Sequence, residues 1–187
     1  MHQDNWSLKA KKMGYRSRAV FKLEEILLKL HKYQINKVLD LGSAPGGWSQ
    51  FIINKYPHSK IIAVDILHME PIDGVQFIKK NIEDIDSIQL INSQKGKFDL
   101  VISDIAPNLT GISAVDNENI YELNKTTINL ANIYLSEVNS AVVIKTFQNN
   151  NFKSLKKEME LFFKIVQTYK PAASKNKSAE TYLYGAR

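Results

Sequence analysis

The sequence contains no cysteine and only four histidines, which are scattered along the chain. The absence of cysteine excludes disulfides, iron–sulfur clusters and thiol catalysis, although it leaves the redox compartment open. Because the histidines show no metal-ligand spacing, we expect no zinc site. No apolar run approaches the roughly 20 residues that cross a bilayer, and the polar N-terminus lacks the apolar core of a secretory signal. We therefore expect a protein without a membrane partner.

The residues that are present are typical of a globular protein, but their charge is unevenly distributed. Of 187 residues, 44% are apolar and 24% are charged, and this length predicts a single domain spanning residues 1–187. Residues 1–37 carry a net charge of +6, residues 38–152 carry −5, and residues 153–187 carry +5. Two basic ends suit a polyanion such as nucleic acid. A lysine run considered alone is more often a solvated helix face.

Apolar runs of strand length alternate with segments of helical periodicity. We predict strands at residues 37–41, 60–65, 75–79, 98–103, 141–144, 164–169 and 180–184. Helices are predicted at residues 16–32, from the glycine-rich turn to about residue 56, and at residues 82–90, 117–138 and 155–163. This alternation predicts an α/β, Rossmann-like fold: a mostly parallel seven-stranded sheet with helices on both faces. Before the fifth strand, either a short polar turn at Asn139 and Ser140 suffices or residues of the natural chain are absent.

The most informative segment is the turn that follows the first predicted strand. It runs Gly42-Ser-Ala-Pro-Gly-Gly-Trp48 and leads into a helical pattern, which is where open α/β sheets bind nucleotide-like ligands. The glycine order differs from the G-x-G-x-x-G of dinucleotide-binding folds, and Pro45 removes an N–H that would be needed to wrap a phosphate. The turn therefore favours an uncharged adenosine or a sulfonium over a pyrophosphate. It disfavours the alternative of a nicotinamide-dependent dehydrogenase.

Polar side chains stand at the ends of the next predicted strands, where ligands bind in such sheets. They are Asp65, Asn81, Asp104 and Lys145. Asp65 can accept both hydroxyls of a ribose, and its position favours this role over the alternatives of a helix cap or a solvated turn. Lys145 follows four apolar residues, so its buried stem requires a partner. A purely structural ion pair with Asp104 and a chemical role are equally compatible with this position.

Four blocks of sequence resemble one family, the FtsJ/RrmJ-like 2′-O-ribose methyltransferases of large-subunit ribosomal RNA. The blocks are Arg16-Ser-Arg-Ala-Val-Phe-Lys-Leu-Glu-Glu-Ile26, Asp40-Leu-Gly-Ser-Ala-Pro-Gly-Gly-Trp-Ser-Gln50, Ser103-Asp-Ile-Ala-Pro-Asn-Leu-Thr-Gly111, and Lys170-Pro with Ser174-Lys and Ser178-Ala-Glu-Thr-Tyr182. They occur in the family's order and extend over essentially the whole chain. The resemblance implies the Rossmann-like fold of class I methyltransferases that depend on S-adenosyl-L-methionine.

The resemblance also implies a catalytic tetrad of Lys22, Asp104, Lys145 and Glu180. Lys145 would be the base or proton acceptor for the attacking 2′-hydroxyl. Lys22 would favour the uncharged form of Lys145 and hold the acceptor ribose. Asp104 would bridge the two lysines and face the methyl donor, while Glu180 would orient Lys22 or the hydroxyl. In-line methyl transfer is mostly positioning. No metal is expected, because two lysines occupy the region where metal-dependent relatives carry carboxylate ligands.

For the cofactor, the resemblance implies S-adenosyl-L-methionine, with S-adenosyl-L-homocysteine as the product. Gly46 and Trp48 would lie near its methionine end, Asp65 on the ribose, and Asn81 next to the adenine. Asn81 departs from the family's usual aspartate, but an amide can still accept and donate hydrogen bonds. The full predicted cofactor-binding set is Gly42, Ser43, Ala44, Pro45, Gly46, Gly47, Trp48, Asp65, Ile66, Asn81, Ile82 and Asp104.

The family's main branch methylates a uridine ribose of large-subunit ribosomal RNA, and the short chain is closest to that branch. We therefore expect ribosomal RNA or the large ribosomal subunit as the partner of a monomer. Transfer RNA is the runner-up substrate, and a non-catalytic ribosome-assembly factor on the same fold is the alternative outside enzymes. The protein would be intracellular, in the nucleus, the cytoplasm or an organelle with bacterial-type ribosomes.

The basic ends supply the expected RNA contacts. Residues 1–36 are predicted to form a basic, helical, RNA-binding extension, and Tyr15 or Tyr33 could stack on a splayed base, although core packing is commoner. The predicted phosphate contacts are Lys9, Lys11, Lys12, Arg16, Arg18, Lys170, Lys175 and Lys177.

Overall fold

A computed structural model describes residues 5–29, 34–174 and 178–187 of the chain. Its helices are α1 Asn5–Lys12, α2 Val20–Lys29, α3 Gly47–Lys55, α4 Gln89–Asn92, α5 Ser113–Tyr134 and α6 Phe152–Glu160, with a 3₁₀ helix at Ile82–Ser87. Its strands are β1 Lys37–Leu41, β2 Lys60–Asp65, β3 Val75–Lys79, β4 Leu100–Ser103, β5 Ala141–Phe147, β6 Ile165–Tyr169 and β7 Glu180–Ala186. Among these described residues, no helix has the length and apolarity needed to cross a membrane.

All seven strands form one sheet in the order β3-β2-β1-β4-β5-β7-β6. The first five strands in this order are parallel, whereas β7 runs antiparallel to both β5 and β6. Alternate residues of the central strands face opposite layers: Val38 packs with α2 and α3, while Leu39 packs with α5 and α6. The predicted mostly parallel, seven-stranded sheet with helices on both faces is confirmed.

The predicted bounds of β1, β2 and β3 match the structure residue for residue, but β5 differs in a way that affects the site. β5 continues to Phe147, so Lys145 lies within the strand rather than after it. The reason is that β7 pairs with β5 along this extension and places Tyr182 opposite Lys145. The polar residues after Ile144 are therefore held in strand geometry by a neighbour that is distant in sequence.

The helices deviate more from the sequence pattern. The helix predicted at residues 82–90 is a 3₁₀ helix followed by the short α4, and α1 was not predicted. α5 ends at Tyr134, and a polar turn leads to β5, with Asn139 at a φ of 53° and the Ser140 hydroxyl donating to the Ser136 carbonyl. A short polar turn is thus sufficient between the longest helix and the fifth strand.

The N-terminal segment packs against the sheet. α2 buries Val20, Leu23 and Ile26 in the same apolar layer as α3, and the Trp6 ring of α1 lies 5.3 Å from the Phe21 ring. Because α2 contributes to the core, the helix is held in a defined position, and its Lys22 reaches Glu180 at the start of β7. This placement brings Lys22 to the candidate site.

Candidate active site

A cavity of about 620 Å³ lies at the carboxyl ends of β1, β2 and β4. A smaller cavity of about 20 Å³ adjoins it, and Gly42, Ala44 and Asp104 line both. Another cavity of about 490 Å³, at the amino ends of β2 and β3, is lined by none of the predicted site residues. The two adjoining cavities are lined by most of the predicted cofactor residues: Gly42, Ser43, Ala44, Pro45, Gly47, Trp48, Asp65, Ile66, Asn81, Ile82 and Asp104.

Packing within the protein requires glycine at two positions of the β1–α3 turn. Gly42 has a φ of 72°, and a Cβ atom there would lie 2.6 Å from Cβ of Ile105. Gly46 has a φ of 101°, and a Cβ atom there would lie 2.7 Å from Cδ1 of Ile72 and 2.9 Å from Sδ of Met69. L-residues are disfavoured at such angles. The turn therefore fits tightly between the loops that follow β2 and β4.

Asp65 connects the turn to the cavity. Its Oδ2 accepts a hydrogen bond from the Ala44 N–H at 2.8 Å, and its Oδ1 accepts one from the Leu67 N–H at 2.7 Å. Asp65 is 8% exposed and lines the cavity. Because each carboxylate oxygen has a further lone pair, both can still accept a hydrogen bond from a ligand hydroxyl.

Asn81 lines the same cavity but is exposed, and it caps the 3₁₀ helix. Its Oδ1 accepts from the Glu83 N–H at 3.2 Å, and its Nδ2 lies 3.3 Å from Oε2 of Glu83. A cap of this kind needs a side-chain oxygen but not a charge. The asparagine therefore preserves the local backbone that an aspartate would also support.

The four residues of the predicted tetrad form two ion pairs, and Asp104 lines both adjoining cavities. Nζ of Lys22 lies 2.6 Å from Oε1 of Glu180, and Nζ of Lys145 lies 3.3 Å from Oδ1 of Asp104. Lys145 also donates to the Asp104 backbone carbonyl. The lysine side chains are only 7% and 11% exposed. Each lysine thus has its own carboxylate, in place of the expected bridge from Asp104 to both.

This arrangement occurs in a chain with clear relatives. Residues 15–187 match the family described as FtsJ-like methyltransferase. The chain belongs to the FtsJ-like methyltransferase family. It is 38% identical over 184 residues to the ribosomal RNA large subunit methyltransferase E of Wigglesworthia glossinidia brevipalpis, covering 97% of this chain and 90% of the relative. It is 41% identical over 189 residues to the protein of the same name from Francisella tularensis subsp. novicida, covering 96% and 89%.

A solved structure agrees with this assignment. It is a ribosomal RNA methyltransferase from Plasmodium falciparum, with a TM-score of 0.78 and 28% identity over 92% of this chain and 98% of that one. The resemblance inferred from the four sequence blocks is confirmed, and so is the Rossmann-like methyltransferase fold. The chain is therefore a methyltransferase of the FtsJ-like family.

Sequence reasoning missed Tyr182 of this FtsJ-like methyltransferase. Its hydroxyl donates to Oδ1 of Asp104 at 3.0 Å, and its ring centroid lies 5.8 Å from that of Trp48 and 5.8 Å from Nζ of Lys22. Burial, and then the charge of Asp104, raise the pKa of the Tyr182 hydroxyl, so it stays a donor at neutral pH. A tyrosine within a strand pattern indicates a residue of the hydrophobic core. Only its place two residues after Glu180 could have signalled a role.

Glu180 itself is held charged. Burial acts to raise the pKa of its carboxyl, but hydrogen bonding to Lys22 and the charge of Lys22 outweigh burial and lower that pKa. The Ser174 hydroxyl also donates to Oε1 of Glu180 at 2.8 Å. The Lys22–Glu180 pair is therefore preformed, and its carboxyl is held in the charged form.

Asp40 was also missed, although it lies inside the quoted glycine block. It is 1% exposed and lines the smaller cavity, and burial, aided by the charges of Asp104 and Asp65, raises the pKa of its carboxyl to about 7. Its Oδ2 accepts from the Ser49 hydroxyl at 2.6 Å, whereas Oδ1 has no hydrogen-bond partner among the described residues. An acidic residue within an otherwise apolar strand was the feature of the sequence that could have identified Asp40. A buried, unpartnered oxygen at this place suits a cationic donor from a ligand.

The predicted RNA contacts differ in their environments. Lys11 and Lys12 are exposed, whereas Nζ of Lys9 lies 4.5 Å from the Phe21 ring centroid, and Lys170 donates to the Ser178 carbonyl at 3.0 Å. Arg18 is half-buried, Tyr15 packs edge-on against Phe21, and the Arg16 guanidinium is bound to backbone carbonyls. Lys175, Lys177 and Tyr33 lie outside the described residues.

Proposed function

We propose that this FtsJ-like methyltransferase transfers a methyl group from S-adenosyl-L-methionine to the 2′-hydroxyl of a uridine in large-subunit ribosomal RNA. The observation that carries the proposal is a set of two lysine–carboxylate pairs that Tyr182 joins, with Asp104 lining the cavity at the strand ends. Ribosomal RNA is supported by the names of the relatives, which are 37–41% identical over most of their length.

The residues present fit such a cofactor. The main cavity lies in the size range of small-molecule sites and its wall carries Asp65, whose oxygens retain lone pairs for ribose hydroxyls. Gly42 lines both cavities, so the turn offers backbone without a side chain at the place where a ligand would lie. The unpartnered oxygen of Asp40 suits the ammonium of an amino acid end. When bound, the cofactor supplies a methyl group made electrophilic by a sulfonium.

The protein's own residues then handle the attacking hydroxyl. Its proton passes to Nζ of Lys145, which acts as an uncharged amine, while the oxygen bonds to the methyl carbon and the bond from that carbon to sulfur breaks, releasing S-adenosyl-L-homocysteine. The resulting ammonium is stabilised by the Asp104 carboxylate and the Asp104 backbone carbonyl. Tyr182 fixes the orientation of that carboxylate by donating to Oδ1. Lys22, held by Glu180, presents a cation toward the acceptor ribose.

The test is transfer of labelled methyl from S-adenosyl-L-methionine to large ribosomal subunits, naked ribosomal RNA and bulk transfer RNA. Lys145→Ala is compared with Lys164→Ala, which alters an exposed lysine just before β6 at the opposite end of the sheet. We expect label in ribosomal RNA as an alkali-resistant 2′-O-methyl dinucleotide, lost in Lys145→Ala and retained in Lys164→Ala.

The other outcomes separate the alternatives. Label in transfer RNA alone would keep the mechanism and replace the substrate. Cofactor binding without transfer to any of the three RNAs would instead support a non-catalytic assembly factor. Retention of full activity in Lys145→Ala would remove Lys145 from its role as proton acceptor.

A further inference from the structure

Arg16 joins three segments that are distant in sequence. Its Nη1 donates to the carbonyls of Glu70 at 2.6 Å and Pro45 at 3.2 Å, and its Nη2 donates to the carbonyl of Pro71 at 2.7 Å. Its backbone N–H donates to Oε1 of Gln50 at 3.0 Å. The guanidinium therefore links the segment before α2 to the β1–α3 turn and to the β2–β3 loop.

The two loops that Arg16 links form walls of the proposed cofactor cavity. The β1–α3 turn contributes Gly42 and Ala44, and the start of the β2–β3 loop contributes Ile66 and Leu67. Each loop is also tied to β2, because Asp65 accepts a hydrogen bond from Ala44 and another from Leu67. Asp65 and Arg16 thus hold the same two loops at two different points.

The junction around Arg16 is close-packed. A Cβ atom added to Gly46 would lie 3.2 Å from Nη1 of Arg16, in addition to its clashes with Met69 and Ile72. A Cβ atom added to Gly47 would lie 2.9 Å from Cβ of Ser17. Nε1 of Trp48 donates to the Ala19 carbonyl at 2.8 Å. A shift of the segment that carries Arg16 is therefore transmitted directly to the glycine turn.

The side chain is suited to this use by its chemistry. A guanidinium has five N–H donors in a rigid fork, which reaches carbonyls in different directions, whereas a lysine ammonium is a single point. The guanidinium of Arg16 donates three hydrogen bonds to backbone carbonyls, although the side chain is exposed. Three of its five N–H donors are therefore used to hold the two loops together.

We propose that Arg16 is a positioning residue for the cofactor rather than a phosphate contact: it sets the spacing of the two loops that enclose the cofactor. The proposal rests on the proposed function for the identity of the cofactor. It differs from the expectation from sequence that Arg16 binds RNA, and the experiment below distinguishes the two roles. It also predicts that loss of the Arg16 side chain affects cofactor affinity although the side chain lies outside the cavity lining.

The experiment compares Arg16→Ala and Arg16→Lys with Lys12→Ala, a matched loss of one exposed cation from the same segment. S-adenosyl-L-homocysteine affinity is measured by calorimetry, and affinity for a large-subunit ribosomal RNA fragment is measured across a salt series. We expect Arg16→Ala to weaken S-adenosyl-L-homocysteine about tenfold or more, because several charge-assisted hydrogen bonds are lost, with an unchanged salt slope for RNA. Arg16→Lys should recover part of this loss.

Lys12→Ala should show the opposite pattern, with normal S-adenosyl-L-homocysteine affinity and a salt slope reduced by about one. The proposal is overturned if Arg16→Ala binds S-adenosyl-L-homocysteine like wild type and loses RNA affinity with a reduced slope. If Arg16→Ala does not fold, the affinities of Arg16→Lys for S-adenosyl-L-homocysteine and for RNA distinguish the two roles in the same way.

A further measurement separates this proposal from the proposed function. Amide hydrogen exchange without ligand should accelerate in Arg16→Lys both at residues 43–47 and at residues 66–72, and unchanged exchange in both loops would overturn the positioning role. If the wild type fails to bind S-adenosyl-L-homocysteine, the proposed cofactor is wrong, and the exchange experiment still decides whether Arg16 holds the loops.

Discussion

The Tyr182 hydroxyl donates a hydrogen bond to Oδ1 of Asp104 at 3.0 Å, and this oxygen also lies 3.3 Å from Nζ of Lys145. One carboxylate oxygen therefore has two donors, the Tyr182 hydroxyl and the Lys145 amino group. Because Tyr182 is buried and its hydroxyl stays protonated, this contact persists over the working pH range. The tyrosine fixes the carboxylate against which Lys145 is aligned.

Replacing Tyr182 with phenylalanine should lower kcat about tenfold with little change in stability. The ring contacts with Trp48 are retained, but Asp104 loses the donor that orients it. Steady-state kinetics with saturating cofactor measure the effect, and Tyr121→Phe serves as the control, since it removes only a 3.4 Å contact with Glu158 on the surface of α5. An unchanged kcat in Tyr182→Phe would show that Asp104 needs no help from the hydroxyl.

Replacing Lys22 with methionine should destabilise the protein by about 3 kcal/mol, because Glu180 would be left as an unpaired, largely buried charge. The double variant Lys22→Met, Glu180→Gln should recover much of this loss but none of the activity. Urea unfolding and methyl transfer, measured on the single and double variants, test both statements. Additive losses of stability in the double variant would contradict a direct coupling between the two charges.

Asp40 should make the protein less stable as the pH rises from about 4 to about 7. Burial raises the pKa of this carboxyl from 3.8 to about 7, so the folded protein keeps a proton that the unfolded chain releases in this range. The associated stability is complete below the unfolded pKa and is lost as the pH rises through the folded pKa.

Asp40→Asn should flatten this part of the stability profile, because its side chain is neutral throughout. The free energy of unfolding is measured by urea titration at several pH values. Asp73→Asn, at an exposed carboxyl, is the control and should keep the wild-type slope. If Asp40→Asn keeps that slope as well, another group is responsible for it.

Replacing Gly46 with alanine should cost more than the same change at Gly96. Both glycines have a positive φ, 101° and 69°, so both substitutions strain the backbone by about 1 kcal/mol. Only at Gly46 does the new Cβ atom meet neighbours, Met69 and Ile72, whereas nothing lies within 4 Å at Gly96. The midpoint temperature of thermal unfolding and the affinity for S-adenosyl-L-homocysteine should both fall further in Gly46→Ala than in Gly96→Ala. Equal losses at the two positions would mean that the junction relaxes freely.

The local pattern of the chain was sufficient for β1, β2, β3 and the glycine turn. Each of these strands is a short apolar run bounded by polar or turn residues, and its burial follows from its own composition. The tetrad came from the family resemblance instead: Lys22, Asp104 and Glu180 lie in the quoted blocks, and Lys145 was placed at the end of the fifth predicted strand. Its catalytic role stays a prediction. The bounds of β5 and α5 could not be predicted from local sequence. Pairing with β7 extends β5, and α5 ends where Leu135 and Ser136 contact Phe98.

What each polar side chain does depended on neighbours that no local pattern specifies. The pairing of Lys22 with Glu180, and of Lys145 with Asp104, follows from how α2, β4, β5 and β7 meet at one edge of the sheet. The use of Arg16 depends on two loops folding around it. The residue types and their order along the chain determine which chemical groups the protein can use. Burial and distance, which arise only when remote segments pack, select the partner that each charge obtains.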